Sequence, residues 1–381
     1  MSRAGAAAIA LLLFLAAAAP AAAQNRLEGS VDAQVEDTDN ARLAPDGATK
    51  DADQILEIHP SIEGALETRG VMATLNYTLN YSGYAHDSDL SRVLHDLQSN
   101  AKLIWWDDLD VQVGEDLAAV PVDFGAPVDN PVNDVQASRA HGKVVLSHGL
   151  GAANRLLIGY ELQRVDYIKV NKNDPKPPQY LMQLPGASFQ RDLGPSASAA
   201  LEYRYEVTTF DKQTAPSAGN YTAHVVDLAP AWQVNDWLSA NGAFGAQFVK
   251  YQNLSGSKTR ALFDLGVRAD SDIASVRLSA DRHVTQDVGG GAADVTMASL
   301  DAEYDPTAPW SVGVLASYGD LHDVVTGSNP LGSRGYVEGG LNLAYRVSQG
   351  TLRIGAIHHQ STDSGPKIVA NRFTVGLGGS F

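Results

Sequence analysis

The sequence predicts an all-β protein, a transmembrane antiparallel up-and-down β-barrel of about 18 strands, with 16 as the alternative count. Three observations predict it. Apolar and polar side chains alternate along most of the chain, short and long connections alternate between the predicted strands, and the tryptophans lie beside the short connections. A two-residue period is typical of strands with two different faces, and alternating loop lengths are typical of membrane barrels.

The alternation is clearest in the segment 71–82, VMATLNYTLNYS. Residues such as Leu75 and Tyr77 share one face, and polar residues such as Asn76 and Thr78 share the other. A soluble strand is usually about 5–6 residues long, whereas a tilted membrane-crossing strand needs about 9–11. This length favours a membrane strand, although alternation by itself also fits a soluble sandwich with a solvated face.

The connections between strands separate these alternatives. Connections after odd-numbered strands are mostly long and polar, such as residues 117–135, and those after even-numbered strands are short, such as ETRG and DLGP. A soluble sandwich gives no reason for this regularity, so the pattern favours a barrel. The predicted strands are 26–36, 54–66, 70–82, 94–106, 109–116, 137–147, 155–166, 180–191, 197–209, 221–233, 237–249, 259–269, 273–284, 294–304, 310–320, 335–346, 351–361 and 369–381.

Aromatic residues test this topology independently. The tryptophans all lie within a few residues of a predicted short turn, whereas several tyrosines fall at the opposite strand ends. Because amphipathic rings prefer the headgroup level of a bilayer, we expect two aromatic girdles. The residues concerned are Trp105, Trp106, Trp232, Trp237 and Trp310 at one end and Tyr81, Tyr84, Tyr167, Tyr221, Tyr251, Tyr318 and Tyr336 at the other.

The chain is predicted to consist of a signal peptide, residues 1–23, and a single outer-membrane barrel domain, residues 24–381. Arg3 gives the charged start, residues 6–18 are apolar, and small residues occupy the cleavage site. No later run of 18 apolar residues predicts a membrane helix. The net charge of −16 excludes nucleic acid as an expected partner, because binding it requires a basic surface.

Charged residues occupy many of the polar positions that would face the inside of the barrel. We predict that they line a pore, since a barrel of 16–18 strands encloses an aqueous channel. We also expect ion pairs across neighbouring strands, between Asp281 and either Arg260 or Arg268, and between Asp264 and Arg277. The predicted pore-lining residues are Lys102, Arg139, Lys143, Glu202, Arg204, Glu206, Arg260, Asp264, Arg268, Arg277, Asp281, Glu338, Arg346, Arg353 and Arg372.

No catalytic pattern is present, and the chain is predicted not to be an enzyme. The HEXXH, GXSXG and P-loop motifs are absent. His358 and His359 are adjacent, so on a strand they would face opposite sides and could not bind one ion together. No cofactor and no metal site are predicted.

Two stretches resemble a known group of proteins. The phrases TDNARLAPDG, DADQILEIHPSIEG and HDLQSNAKLIWWDDLDVQVGED resemble outer-membrane β-barrel porins encoded near exopolysaccharide and exosortase gene clusters. The resemblance implies an integral outer-membrane location, contact with outer-membrane lipid, and a role in passing secreted polysaccharide together with periplasmic export proteins. The family has no catalytic residues to transfer.

The sequence thus predicts a porin-like channel that conducts exported polysaccharide or small polar solutes. A structural or surface barrel with a closed lumen is the second hypothesis, and an outer-membrane hydrolase is the third. A large open lumen lined by these charges would favour the first, and long ordered external loops packed together would favour the second. A Ser–His pair at hydrogen-bond distance near the outer rim would favour the third.

Overall fold

The computed structural model describes residues 24–44, 46–106, 108–121, 134–169, 179–211, 219–253, 257–286, 292–306, 309–323, 334–347, 350–361 and 367–380. The predicted signal peptide, residues 1–23, lies outside them. The strands are β1 Gln24–Thr38, β2 Asp53–Glu67, β3 Val71–Tyr84, β4 Arg92–Trp106, β5 Leu109–Pro121, β6 Asp134–Gly149, β7 Asn154–Lys169, β8 Tyr180–Gly194, β9 Ala197–Phe210, β10 Tyr221–Asn235, β11 Leu238–Tyr251, β12 Ser257–Asp270, β13 Ala274–Gln286, β14 Ala292–Tyr304, β15 Trp310–Asp323, β16 Arg334–Val347, β17 Gly350–Ser361 and β18 Val369–Ser380.

These strands form one closed 18-stranded sheet. Each strand pairs antiparallel with the next, and β1 pairs with β18, where Val35 lies opposite Val375. The predicted fold class and the count of 18 are confirmed, and the strands lie where the alternation placed them. Closure satisfies the backbone hydrogen bonds that an open sheet would leave at its two edges.

The barrel has a short-turn end and a long-loop end, and local sequence builds the short turns. The Oδ1 atom of Asn235 accepts hydrogen bonds from the backbone nitrogens of Trp237 and Leu238, at 3.1 and 2.8 Å. Asparagine favours such turns because its side chain can replace a backbone acceptor. Each tryptophan named above lies in or beside a strand at its short-turn end, as the sequence predicts.

At the long-loop end, the loop after β1 is tied to its neighbours by polar side chains. The buried Asn40 donates to the carbonyls of Ala44 and Val369, at 2.9 and 3.1 Å. Arg42 donates to Asp87 and Asp89, at 2.7 and 2.8 Å, and these hydrogen bonds raise the pKa of the guanidinium above its usual value. This loop is therefore a structured part of the rim next to the β1–β18 seam.

The outer face of the sheet carries exposed apolar side chains, and register shows that they share one face. Leu341 is 61% exposed, and Phe373 and Leu377 are 61% and 64% exposed. Their opposite neighbours, such as Ala356 and Leu352, point the same way. An outer wall of this kind is suited to an apolar environment.

One part of the outer face departs from this pattern. Glu115 lies opposite Ser99, which lies opposite Leu75, so all three belong to the outer face. Glu115 is only 4% exposed and accepts a 2.9 Å hydrogen bond from Ser138. The outer face is therefore not apolar throughout over β4–β6.

The predicted tyrosine girdle is also partly wrong. Tyr84, Tyr167, Tyr221 and Tyr251 are buried and lie on the inner face, whereas Tyr81 is exposed on the outer face. Position along a strand predicts the end of the barrel at which a ring lies, but the parity of the position determines the face. No helix among the described residues is long and apolar enough to cross a membrane.

Candidate functional site

The inner face of the barrel is the candidate site, because the charged side chains of the strands converge there. Register places every predicted pore-lining residue at an inner-face position, as with Arg204 opposite Val225 and Glu338 opposite His359. That they line a conducting pore remains a prediction. They are Lys102, Arg139, Lys143, Glu202, Arg204, Glu206, Arg260, Asp264, Arg268, Arg277, Asp281, Glu338, Arg346, Arg353 and Arg372.

A polar cavity of about 810 Å³ lies against the inner wall formed by β14–β18 and β1–β4. We call it the recess. Small residues line its wall, among them Gly313, Gly340 and Gly355. A Cβ atom added at Gly355 would come within 2.6 Å of the Thr374 hydroxyl oxygen, so any side chain there would intrude on its neighbours. The recess exists because these inner positions lack side chains.

Charged groups flank this glycine-lined wall. Arg346, Arg353 and Arg372 project from three successive strands, β16, β17 and β18. Arg346 pairs with Asp305 and Arg353 with Asp32, and the Nε of Arg372 lies 3.8 Å from Glu36. Each guanidinium is thus held in place by a carboxylate.

A second polar group lies across the β1–β3 side of the recess and centres on Glu57. Its carboxylate accepts hydrogen bonds from Gln34 and, at 3.4 Å, from Ser82. The Nε2 of His59 lies 3.7 Å from it, and His59 also contacts Asn80 at 2.8 Å. Because Gln34, Ser82 and Asn80 contact these two side chains, this part of the wall is preorganised.

The inner wall over β6–β11 is different, because buried apolar and aromatic side chains pack there. We call this group the packed cluster. Tyr180 and Phe210 meet edge to face with ring centroids 5.7 Å apart, and Tyr221 and Tyr251 are 5.6 Å apart. Such pairs contribute about 0.5–1.5 kcal/mol beyond their buried area. The cluster comprises Val135, Ala137, Val165, Tyr167, Tyr180, Phe210, Tyr221, Ala223, Val249 and Tyr251.

A buried carboxylate borders the packed cluster. Glu206 accepts hydrogen bonds from the Tyr221 hydroxyl and, at 3.2 Å, from the Gln247 amide. Nearby, Arg204 lies 3.7 Å from Asp227. Buried acceptors with hydrogen-bond donors contribute to stability, whereas unpaired ones are costly. The long-loop end of this part of the inner wall is therefore built as a protein core.

The predicted ion pairs between β12 and β13 are wrong. Asp264 lies opposite Asp281, and Arg268 lies opposite Arg277, so the register places like charges together. Arg268 pairs with Asp270 within its own strand, and Arg260 lies 3.5 Å from Asp294. Like charges in direct opposition destabilise a sheet, and an aqueous lumen would screen that repulsion.

Several histidine rings of the described chain contact tyrosine or polar side chains. His95 contacts Tyr77 at 2.9 Å, His224 contacts Tyr203 at 2.8 Å, and His358 and His359 face opposite sides, as predicted. Among the described residues, no group of three or more His, Asp or Glu side chains is placed to hold a metal ion. That the chain is not an enzyme remains a prediction.

Sequence reasoning missed the recess wall and the packed cluster. Both were visible in part. Gly313, Gly340 and Gly355 fall at inner-face positions of successive predicted strands. Tyr221 falls at an inner-face position of the predicted strand 221–233, and Tyr251 lies two residues beyond the predicted strand 237–249 and keeps its inner-face alternation. The signal was whether each glycine or tyrosine falls at an odd or an even position of its strand. The alternation of apolar and polar residues already assigns those positions to the inner or the outer face.

Comparisons with known proteins bear on the fold. No protein-family model matches the chain, and none of the curated proteins matches it in sequence. Among solved structures, the chain is similar to Pseudomonas aeruginosa OccK2 (OpdF) in complex with glucuronate, at 12% identity and a TM-score of 0.50, covering 93% of this chain and 98% of that one.

Two further outer-membrane proteins show the same likeness. Pseudomonas aeruginosa OpdQ is 10% identical with a TM-score of 0.50, covering 94% of this chain and 97% of that one. Acinetobacter baumannii OccAB4 is 13% identical with a TM-score of 0.50, covering 94% and 98%. The chain therefore has the fold of the Occ and Opd outer-membrane porins, a closed antiparallel barrel of 18 strands.

Proposed function

We propose that the protein is an integral outer-membrane channel through which small polar solutes diffuse. The observation that carries this proposal is the contrast between the two faces of one closed sheet. Large apolar side chains such as Leu341 and Phe373 are exposed on the outside, while arginines and carboxylates face inward. Complete burial of a large apolar side chain contributes about 1.5–3 kcal/mol, so each of these partly exposed side chains would cost a fraction of that in water.

The inner wall supports passage of polar rather than apolar compounds. The recess is lined by guanidinium, carboxylate, amide and hydroxyl groups, and its volume of about 810 Å³ exceeds that of a small metabolite. Likeness to OccK2, whose structure contains glucuronate, agrees with a small polar solute. Polar groups that replace hydration contacts allow such a solute to cross an otherwise apolar barrier.

Conductance of the purified protein in planar bilayers tests this function. We expect discrete current steps. We expect Arg277→Glu to shift the reversal potential in the direction of greater cation selectivity, because Arg277 is an exposed inner-face residue. Lys250→Glu is the matched control, since Lys250 lies on the outer face near the long-loop end. Electrical silence of a folded, inserted protein would overturn the proposal.

A polysaccharide conduit is the finer form of this proposal, and the resemblance of residues 38–64 and 95–116 to exopolysaccharide-associated porins supports it. Periplasmic export proteins would then be partners. Deleting the gene should lower the amount of exported polysaccharide, and re-expression should restore it. Unchanged export in the deletion strain would remove this role and leave the small-solute channel standing.

A structural or surface barrel with a closed lumen is the second candidate, and the packed cluster favours it. Side chains such as Tyr221 and Val249 face inward but are shielded from solvent. The two candidates differ in the lumen, since an open lumen conducts ions and a closed one does not. The bilayer measurement therefore decides between them, and detergent dependence of solubility tests the membrane location that both share.

A further inference from the structure

Toward the short-turn end, the inner wall of β3 and β4 presents uncharged hydrogen-bonding side chains. Thr74 and Asn76 on β3 lie directly opposite Asn100 and Gln98 on β4. Opposed Cβ atoms in a sheet lie about 5 Å apart, and alternate residues of one strand lie about 7 Å apart. These four residues therefore form one compact block, which we call the amide strip.

The side chains of the amide strip are exposed, and none of them forms a hydrogen bond with another described residue. The amides of the recess differ in this respect. Asn80 contacts His59 at 2.8 Å, and Gln34 donates a hydrogen bond to Glu57. The recess amides thus hold neighbouring side chains in place, whereas the amides of the strip are available to a solute.

Carboxylates extend one row of the amide strip on both sides. Glu63 on β2 lies opposite Asn76, and Asp116 on β5 lies opposite Gln98. Neither carboxylate forms a hydrogen bond or an ion pair with another described residue, although Arg139 on β6 continues the row beyond Asp116. A solute lying along this row would meet acceptors at both ends and, between them, amides that both donate and accept.

A histidine ring borders the other row of the strip. Gly114 on β5 lies opposite Asn100, and a Cβ atom added at Gly114 would come within 2.6 Å of the Cε1 atom of His141. The His141 ring thus occupies the space that a side chain at Gly114 would take. An imidazole offers ring nitrogens for hydrogen bonding, so it adds one more such group at the edge of the amide strip.

The chemistry of the strip matches hydroxyl groups. An amide carries both donors and acceptors, and a hydroxyl group also does both, so the two fit each other without any net charge. A charged solute is held most strongly by an opposite charge, which the four residues of the strip do not supply. Because a single hydrogen bond contributes little in water, a solute with several adjacent hydroxyl groups gains most from the closely spaced side chains.

We propose that the amide strip binds neutral polyhydroxylated solutes, either free sugars or the units of a glycan chain, as they pass through the barrel. Asn76, Gln98 and Asn100 exchange hydrogen bonds with neighbouring hydroxyl groups, and Glu63 and Asp116 accept hydrogen bonds from hydroxyl groups at the ends of the row. Such binding is weak enough for the solute to leave again, as passage requires. This inference rests on the proposed channel function and specifies its substrate class.

Planar bilayers provide the test, because a solute that binds inside the lumen reduces the potassium chloride current. The probes are methyl α-glucoside and tetraethylene glycol, which are both neutral and equal in molar mass, but only the glucoside carries several hydroxyl groups on one ring. We expect the glucoside to reach half of its maximal block at a concentration about fivefold lower, the gain expected from one net hydrogen bond. Equal half-blocking concentrations would overturn the inference.

Variants locate the binding. Asn76→Ala with Gln98→Ala should raise the half-blocking concentration of the glucoside about fivefold and leave the current without sugar almost unchanged. Asn76→Gln with Gln98→Asn keeps both amides and should retain the block. Asn342→Ala is the matched control, because Asn342 is an exposed inner-face amide on β16, outside the strip. If Asn342→Ala weakens the block as much as the double alanine variant does, the binding does not arise in the amide strip.

A third probe, maltohexaose, distinguishes a free sugar from a glycan chain. A half-blocking concentration below that of the glucoside would show that the strip takes successive units of a chain, and one above it would show that the strip takes single sugars. In either case Asn76→Ala with Gln98→Ala should weaken the block.

The same preparation distinguishes the two levels of failure. If the protein conducts potassium chloride but the glucoside blocks no better than tetraethylene glycol, the channel stands and the inference about the amide strip falls. If a folded, inserted protein conducts no salt at all, the channel function itself falls.

Discussion

Two regions of the inner wall have the same strand geometry but different packing. Over β6–β11, buried rings such as Tyr221 and Phe210 pack as in a protein core. Over β14–β18, glycines and small residues leave a charged recess of about 810 Å³. Inner-face position therefore does not by itself make a residue pore-lining, because neighbouring side chains determine whether it is covered.

Because of this difference, the packed cluster should contribute mainly to stability and the recess mainly to selectivity. Substitutions in the packed cluster should mainly change the free energy of unfolding. Any change in selectivity there should be a consequence of the lost stability. Substitutions in the recess should change permeation and leave the fold almost unchanged. Matched pairs of variants, one in each region, can break or sharpen this comparison.

The largest effect is expected from a charge in the packed cluster. Ala223 is 0% exposed and lies between Glu206 and Val249. Ala223→Asp should destabilise the barrel by about 4 kcal/mol, because it buries a second carboxylate beside Glu206. Urea unfolding in lipid vesicles, followed by tryptophan fluorescence, measures the loss.

Ala344→Asp is the matched substitution in the recess, where the new carboxylate would lie opposite Arg353. It should change the unfolding free energy by less than about 0.5 kcal/mol. If both variants lose the same stability, the two halves do not differ in packing and the comparison fails.

The next effect concerns the outside of the recess half. Leu341 is exposed at the middle of β16, and Leu341→Arg should cost about 3 kcal/mol, because it places a charge toward the lipid. Asn342→Arg, one residue later on the inner face, should leave stability nearly unchanged and shift selectivity toward anions. If the protein were soluble, Leu341 would face water, and Leu341→Arg would leave the free energy of unfolding almost unchanged.

A matched pair of glutamates gives an intermediate effect. Glu206→Ala removes the acceptor of the Tyr221 and Gln247 hydrogen bonds in the packed half and should cost about 2 kcal/mol. Glu303→Ala removes an exposed carboxylate and should cost less than about 0.5 kcal/mol. Equal unfolding midpoints for the two variants would contradict the assignment of Glu206 to a core.

The smallest effect on stability is expected from Gly355→Ala. The added methyl group would come within 2.6 Å of the Thr374 hydroxyl, which can rotate away, so less than about 0.5 kcal/mol should be lost. Permeation of small polar solutes should fall because the recess narrows. Gly339→Ala is the control, since a Cβ there meets open space on the outer face; a similar fall in both would argue against a recess at Gly355.

Sequence reasoning succeeded where the information is local. The strand β3 was predicted as 70–82 and is Val71–Tyr84, because two-residue alternation and turn residues mark a strand directly. It also placed Arg353 and Glu338 on the inner face. It failed for Asp264 and Asp281, for which oppositely charged partners were predicted, because pairing depends on register, and a shift by an even number of residues keeps the face but changes the partner.

What the sequence by itself determined is the number of strands, the face of the charged side chains predicted to line the pore and the end at which each tryptophan lies. Those follow from the two-residue period and the lengths of the connections. What only the tertiary structure decided is which inner residues are covered and which line a cavity. Closing the sheet sets residues such as Val35 and Val375 side by side, and whether Tyr221 is buried or Arg353 is open depends on contacts between distant parts of the chain that no local pattern encodes.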